Sequence, residues 1–177
     1  MSERIQQRIG MGEAKVRNVF NERRLYFPFH ETDFQLPLEV YITELPLNHT
    51  QPWYSHNTVE EIIFPICGQV NIFIKGQDGK VERTQLPESM ELDLVRESIV
   101  AVSVNNDGVV AIKVKNKESG KISSFDLLDN EGIHSGTSIH TLQNHSDQRA
   151  VVAVVKKTTK EELARNPRIF REDRFSH

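Results

Sequence analysis

Residues 54–74 read YSHNTVEEIIFPICGQVNIFI, and they carry the clearest signal of the fold class. Its polar first part leads into an apolar run of β-branched and aromatic residues at 62–74. Such runs are typical of β-strands. Further runs of this kind occupy residues 38–47, 90–95, 99–104, 109–114, 122–128 and 150–155. No amphipathic stretch long enough for a helix separates them, so the sequence predicts an all-β protein and excludes repeated βαβ units.

Turn sequences separate these runs at the spacing expected of a β-sandwich or barrel. Residues 77–79 (QDG), 105–108 (NNDG) and 117–120 (KESG) supply the positive φ that tight hairpins need. Apolar residues also alternate along several runs, so that one face of each strand points to a core.

Length and composition limit the class of protein. A chain of 177 residues has room for one well-packed domain with a terminal extension. Its 22 Lys and Arg against 25 Asp and Glu give a net charge of −3 without a long basic run, which argues against nucleic acid as a partner. Cys67 is the one cysteine, and no segment has the apolar length of a membrane helix. The first thirty residues are too charged for a secretory signal. We expect a cytoplasmic protein that does not bind a membrane.

The two ends of the chain differ from its strand-rich middle. Residues 1–30 are polar, with apolar residues at loosely helical intervals, and we predict a partly helical N-terminal arm. Residues 158–177 are predicted to form a short helix and a tail, with Thr159 as the helix N-cap. The β-domain is therefore expected over residues 31–157.

The densest group of chemically capable side chains precedes the central apolar run. Alternate residues of a strand share a face, so Tyr54 and His56 can point into one cavity. Glu61 begins the next strand and can return to that cavity. Far along the chain, His140 and Asn144 lie on another predicted strand.

The spacing of these residues resembles a known pair of motifs. His56, Glu61 and Gly68, separated by four and six residues, resemble the second half of the first cupin motif. His140-x-x-x-Asn144 resembles the end of the second cupin motif. This resemblance implies a double-stranded β-helix, which is the jelly-roll barrel of the cupins.

In the cupin family, two His of an H-x-H pair, a Glu and a later His hold one divalent metal inside the barrel. The resemblance covers residues 38–156 and implies His56, Glu61 and His140 as metal ligands. Two imidazoles and a carboxylate suit Fe(II), Mn or Zn and leave positions for a substrate. Tyr54 stands where the first His of the pair belongs. The candidates for a fourth ligand are Tyr54, His49 and His134.

Within the cupins, the sequence is most similar to the WxcM-like nucleotide-sugar 3,4-ketoisomerases of the RmlC-like group. Tyr54-Ser55-His56-Asn57 takes the place of that branch's His-Ala-His-Lys, and the tail closes on Arg174-Phe175 where that branch closes on Arg-Phe. In those enzymes the paired His move protons on a keto sugar without a metal. The resemblance implies that His56 acts as the base. Tyr54 would then donate to the enediolate oxygen, and Glu61 would orient His56 or act as a second acid–base group.

Three functions follow as alternatives. The first is an isomerase or epimerase of a nucleotide-linked keto sugar that needs no cofactor, with His56, Tyr54 and Glu61 as catalytic residues. Its substrate-binding residues would be Trp53, His140 and Asn144. The second is an Fe-, Mn- or Zn-dependent oxygenase or isomerase that uses the metal ligands named above. The third is a barrel that binds a sugar or small acid without converting it.

Other residues test these alternatives. A pyrophosphate needs Arg or Lys at the barrel mouth, and a nucleotide-linked substrate loses support if the candidates Arg83, Arg96 and Lys113 all turn outward. The long segment 85–121 is predicted to form an extra hairpin pair, a lid or a subunit contact. Lys156-Lys157 is expected on the solvated surface. The N-terminal arm and exposed sheet edges favour a homodimer.

Overall fold

A computed structural model of the protein describes residues 15–19, 21–29, 37–56, 60–85, 92–93, 95–105, 107–135, 138–171 and 174–176. Within them the chain forms fifteen strands, the α-helix α1 (Lys160–Arg165) and 3₁₀ turns at Asp129–Glu131 and Ile169–Arg171. The strands are β1 (Lys15–Val19), β2 (Glu22–Phe29), β3 (Leu38–Leu45), β4 (His49–Thr50), β5 (Trp53–Ser55), β6 (Glu60–Cys67), β7 (Asn71–Lys75), β8 (Val81–Gln85), β9 (Glu97–Val104), β10 (Val110–Asn116), β11 (Ile122–Leu127), β12 (Ile133–His134), β13 (Ile139–Asn144), β14 (Ala150–Lys157) and β15 (Arg174–Ser176).

The strands form three antiparallel sheets. The central sheet has the order β1-β2-β3-β14-β6-β12. The facing sheet has the order β15-β5-β13-β7-β8, with β4 paired to β13, and the outer sheet has the order β11-β10-β9. One apolar cluster lies between the central and facing sheets, and another lies between the central and outer sheets. The central and facing sheets enclose a jelly-roll barrel, which confirms the predicted fold class.

The central sheet is buried on both faces because a sheet covers it from either side. Along β3, Val40 and Ile42 pack toward the outer sheet, whereas Tyr41 and Leu45 point into the barrel. Strands buried on both faces need apolar residues at nearly every position. This explains why the central strands are near-continuous apolar runs, and it means that a charged residue on the barrel-facing side is buried.

The partly helical arm predicted for residues 1–30 is wrong for the part that the structure describes. β1 and β2 form an antiparallel hairpin, and β2 pairs with β3 along its length. Phe27 and Phe29 pack toward the outer sheet. Arg24 lies on the other face, beside the ring of Tyr41, which points into the barrel. The two-residue period of β2 is hard to see in the sequence because the face opposite to Phe27 and Phe29 carries charged residues. β2 thus belongs to the barrel, and residues 1–14 lie outside the described residues.

The long segment 85–121 contributes β9 and β10 of the outer sheet. The β9–β10 hairpin turns near Gly108 (φ 80°) within the segment, whereas the β10–β11 hairpin turns near Gly120 (φ 72°) and is completed by β11 beyond it, so the predicted hairpin pair is found in part. Val102 and Ile112 pack onto the outer side of the central sheet. The outer sheet therefore does not cover the barrel interior.

Smaller differences occur near the ends of the predicted elements. The strand predicted over 90–95 is wrong for its described residues 92, 93 and 95, which form coil and turn, and β9 begins at Glu97. The C-terminal helix is found, with the Thr159 side chain accepting a hydrogen bond from the Glu162 N–H. β15 pairs with β5, so the tail extends the facing sheet. Among the described residues, none of the helices has the length and apolar character of a transmembrane segment.

Candidate functional site

Four of the predicted site residues come together inside the barrel. Tyr54 lies on β5, His56 follows that strand directly, Glu61 lies on β6 and His140 lies on β13. Tyr54 and His140 are cross-strand partners in the facing sheet. Glu61 approaches them from the central sheet. All four residues are buried, with at most 3% of their surface exposed.

Glu61 is the centre of this group. Its Oε1 lies 2.7 Å from His140 Nε2, and its Oε2 lies 2.5 Å from His56 Nε2. Ser135 Oγ donates a hydrogen bond to Glu61 Oε1 at 3.2 Å. On the other side of its ring, His140 Nδ1 donates to the carbonyl oxygen of Ser138 at 2.8 Å. One ligand atom each from His56, Glu61 and His140 lies within 4.8 Å of the other two.

These contacts determine the charge of Glu61. Burial by itself raises the pKa of a carboxyl, but hydrogen bonds from His140 and His56, together with their charge, hold the pKa of Glu61 well below its usual range. A carbonyl oxygen can only accept, so His140 Nδ1 carries a proton and Nε2 is the atom that faces the carboxylate. Glu61 is therefore an ionised carboxylate between two imidazoles.

The neighbouring glutamates point in opposite directions because side chains alternate across β6. Glu61 shares the barrel-facing side with Ile63, whereas Glu60 is exposed. Glu60 Oε1 lies 3.2 Å from His134 Nδ1, and His134 is itself exposed. His49 contacts the carboxylate of Glu22 instead of Glu61. Of the three candidates for a fourth metal ligand, Tyr54 is therefore the one that lies beside the group.

The Tyr54 ring packs against both imidazoles. Its centroid lies 4.3 Å from that of His140 and 5.4 Å from that of His56. Trp53 precedes it on β5 and points to the opposite face of the strand, where it is half-buried. Trp53, which was predicted to bind the substrate, therefore does not face the group.

Lys156 belongs to the site although the sequence pattern did not reveal it. Its predicted place on the solvated surface is wrong, since it is 2% exposed. Its Nζ lies 4.0 Å from Glu61 Oε2, donates to the Phe170 carbonyl oxygen at 3.3 Å, and lies 5.3 Å from the centroid of the Tyr41 ring. The two-residue period of β14 was the available signal, because it places Lys156 on the face of the barrel-facing valines.

The register of the central sheet places Lys156 between two carboxylates. Lys156 pairs with Glu39 on β3 and with Glu61 on β6. Directly opposed residues of neighbouring strands share a face of the sheet, and all three are buried. A row of alternating charge, Glu39–Lys156–Glu61, therefore crosses the barrel-facing side of the sheet.

A second buried carboxylate, Glu22, lies on β2 and holds His49. His49 Nε2 lies 2.9 Å from Glu22 Oε2, and Gln51 Nε2 donates to Glu22 Oε1 at 2.8 Å. Arg24 and Thr43 donate to the same Oε1. The Arg24 guanidinium is thereby paired inside the protein.

Asn144 shares a strand face with His140 but is engaged with the backbone. It is fully buried. Its Nδ2 donates to three carbonyl oxygens at 2.7–3.1 Å, and its Oδ1 accepts from the N–H and hydroxyl of Ser146. The three acceptors belong to Leu45, Pro46 and Gln148. Asn144 ties the β13–β14 turn to the end of β3, and its amide is not directed at the His–Glu–His group.

We expect Asn144→Ala to lower the free energy of unfolding by about 3 kcal/mol, because buried carbonyls lose their donor. Urea unfolding measures this loss. Gln143→Ala is the matched control, since Gln143 makes an exposed hydrogen bond to Thr50 and should change stability by no more than about 0.5 kcal/mol. Unchanged stability in Asn144→Ala together with loss of ligand binding would instead support the substrate-binding role predicted from the sequence.

The three cationic residues considered for a pyrophosphate all turn away from the barrel. Arg83 is exposed on the edge strand β8. Lys113 alternates with the buried Ile112 and Val114 on the outer sheet. The Arg96 side chain is 71% exposed. A nucleotide-linked substrate therefore loses the support that these residues would have given.

A cleft of about 360 Å³ lies outside the barrel, between the central and outer sheets. Apolar residues from both sheets and charged residues such as Arg23 and Glu44 line it. It contains none of the predicted site residues, so the cleft and the His–Glu–His group are separate features.

Sequence comparison identifies no relative: no protein-family model matches the chain, and no curated protein matches it. Solved structures do match. A structure of oxalate decarboxylase aligns with a TM-score of 0.50 and 11% identity, covering 85% of this chain and 29% of that one. The capsular polysaccharide assembling protein CapF from Staphylococcus aureus aligns with a TM-score of 0.45 and 11% identity, covering 82% and 31%. The Drosophila melanogaster CENP-C cupin domain aligns with a TM-score of 0.46 and 9% identity, covering 81% and 75%.

These matches bear on the fold alone. The chain spans less than a third of the length of the first two proteins, at 29% and 31%. Together with the sheet order, the oxalate decarboxylase match identifies the barrel as a cupin fold. The fold and the site thus define a cupin-fold protein with a buried His–Glu–His group, whereas the predicted similarity to the WxcM-like branch is not confirmed.

Proposed function

We propose that the protein is a divalent-metal-dependent cupin enzyme that acts on a small carbonyl- or carboxylate-containing molecule, with His56, Glu61 and His140 as the metal ligands. One observation carries the proposal. The ligand atoms of these residues converge within 4.8 Å of one another, and all three residues are buried. This is the second of the three functions predicted from the sequence, with carboxylates added to its substrate class.

The donor set fits Fe(II), Mn or Zn. Two imidazole nitrogens and one carboxylate are ligands that these metals accept, and three protein ligands leave positions for substrate. Glu61 is ionised, since its pKa is held well below the usual range by its imidazole neighbours. His140 presents Nε2 while its Nδ1 donates to the Ser138 carbonyl, as ligating histidines generally do with their second nitrogen.

A divalent ion held there would act as a Lewis acid toward a carbonyl or carboxylate oxygen of the substrate. The protein's own residues prepare the site. Burial of His56 and His140 excludes water from their Nε2 atoms, and the Tyr54 ring supports both imidazoles. The Ser138 carbonyl and the Ser135 hydroxyl fix the orientations of His140 and Glu61.

A second candidate is proton transfer on a keto sugar without a metal. The contact of the Tyr54 ring with both imidazoles favours it. In this reaction His56 would remove the proton next to the carbonyl, and Tyr54 would stabilise the enediolate oxygen. The outward Arg83, Arg96 and Lys113 support a substrate without a nucleotide.

Metal analysis of protein purified without chelator tests the proposal. We expect about one equivalent of Fe, Mn or Zn per chain. Because each variant removes a ligand, His56→Ala and His140→Ala should each weaken metal binding at least about 100-fold. Elemental analysis by mass spectrometry and a titration with the retained metal measure both effects.

His134→Ala is the control variant, because this histidine is exposed and bound to Glu60; it should retain the wild-type metal content. Circular dichroism of each variant verifies that the barrel is folded. Wild-type protein that retains no metal, even after reconstitution with Fe(II), Mn²⁺ or Zn²⁺, overturns the proposal and favours the proton-transfer candidate. Metal that is retained without turnover of small carbonyl compounds favours a binding protein.

A further inference from the structure

We propose that Lys156 is a built-in counter-cation of the His56–Glu61–His140 group. Its ammonium balances the Glu61 carboxylate when no metal is bound, and it weakens the affinity of the group for a divalent ion. The site would then exchange its metal readily, and the barrel would stay folded without the metal. This inference rests on the proposed function and concerns a residue outside the ligand set.

The position of Lys156 supports this role. Its Nζ lies 4.0 Å from Glu61 Oε2, the same oxygen that faces His56. Phe170 contributes a carbonyl oxygen 3.3 Å from Nζ, which holds the ammonium in place. Lys156 is 2% exposed and Glu61 is 0% exposed, so little water screens the two charges.

The register extends the charge balance to a third residue. Lys156 lies opposite both Glu39 and Glu61 in neighbouring strands. A buried carboxylate needs a cation or several donors to remain ionised. Without the ammonium, two buried carboxylates would share one side of the central sheet, and this would favour binding of an external cation.

The same ammonium opposes a divalent ion. A divalent ion bound to the Glu61 carboxylate would lie close to the Lys156 ammonium, because this ammonium already contacts the carboxylate. The two positive charges would repel each other strongly in a poorly hydrated interior. A neutral side chain of similar length at position 156 should therefore strengthen metal binding and weaken the metal-free protein. A purely packing role for Lys156 predicts neither change.

The test compares Lys156→Met with wild type by Zn²⁺ titration against a competing chelator and by thermal unfolding in EDTA and in Zn²⁺. We expect Lys156→Met to bind Zn²⁺ at least about tenfold more tightly. Its Tm in EDTA should be about 5 to 10 °C below that of wild type, and Zn²⁺ should restore most of the difference.

Lys157→Met is the matched control. Lys157 is the next residue on β14, and its Nζ lies 3.0 Å from Asp129 Oδ2, away from the group. It should leave the Zn²⁺ affinity unchanged. Lys156→Arg keeps the charge and should retain an affinity close to that of wild type.

The outcomes separate the inference from the proposed function. Equal Zn²⁺ affinity in wild type and Lys156→Met overturns the inference alone. A Lys156→Met protein that stays unfolded in excess Zn²⁺ also overturns it, because the ion should replace the ammonium. Zn²⁺ binding to neither protein overturns the inference together with the metal site. Folding of Lys156→Met that depends on Zn²⁺ supports the inference.

Discussion

Glutamine in place of Glu61 is expected to lower the free energy of unfolding of the metal-free protein by about 3 to 5 kcal/mol, the usual range for removing one partner of a buried ion pair. The Glu61 carboxylate faces His56, His140 and Lys156. Glutamine has nearly the same shape but no charge, so the Lys156 ammonium is left beside a neutral amide. Urea unfolding followed by the fluorescence of Trp53, the single tryptophan, measures the loss.

The size of this loss should depend on pH. Hydrogen bonds and charge from the imidazoles hold the pKa of Glu61 in the folded state below its usual value. A group with a lowered folded pKa stabilises the protein fully above the unfolded carboxyl pKa, which is about 4.3. The advantage of wild type over Glu61→Gln should therefore be constant between about pH 5 and 7 and shrink as the pH falls below about 4.

Glu60→Gln provides the control at the adjacent position. The Glu60 side chain is 51% exposed and bound to His134, so its replacement should change stability by no more than about 0.5 kcal/mol. Equal losses in the two variants would contradict the central place of Glu61 in the buried group. A stability advantage of wild type over Glu61→Gln that persists unchanged at acid pH would also contradict it.

The features predicted correctly from the sequence depend on local patterns. Strands were found from apolar runs, and the hairpin turns at Gly79, Gly108 and Gly120 adopt the expected positive φ. The meeting of Glu61 and His140, which are 79 residues apart in sequence, was predicted from a motif resemblance rather than from periodicity. Motif spacing identified the group because both residues lie on barrel-facing strand positions.

The features predicted wrongly involve charges that are buried inside the barrel. Glu22 and Arg24 made β2 resemble a solvated segment, although they pair with each other and Glu22 also accepts hydrogen bonds from Thr43 and Gln51. Lys156 was assigned to the surface for the same reason. A pattern of polar and apolar residues cannot show that a charge is compensated by a partner on another strand, since the partner is known only when the strand register is known. The homodimer and the cytoplasmic location stay predictions.

The second large effect is expected at Gly68, where Gly68→Ala should lower the free energy of unfolding by about 2 to 5 kcal/mol. Gly68 has a φ of 80° and lies where the chain passes from β6 in the central sheet to β7 in the facing sheet. A Cβ at this position would lie 2.8 Å from the Cα and Cβ of Ala150 and 2.9 Å from the carbonyl oxygen of Arg149. These atoms belong to the start of β14 and to the residue before it, so relief of the contact requires a shift of that strand.

Gly79→Ala separates the backbone strain of a positive φ from the close contact with Ala150, which both contribute to the loss at Gly68. Gly79 has nearly the same φ, 79°, but nothing among the described residues lies within 4 Å of its Cβ position. Its substitution should cost only the backbone strain, about 1 to 2 kcal/mol, and an equal loss in both variants would contradict a contact with Ala150.

The Gly68 corner is connected to the buried group through the strand pair β6–β14. Further along this pair, Glu61 on β6 lies directly opposite Lys156 on β14. A shift at the Gly68 corner should therefore reach the buried group, so we expect Gly68→Ala to weaken Zn²⁺ binding and Gly79→Ala to leave it unchanged.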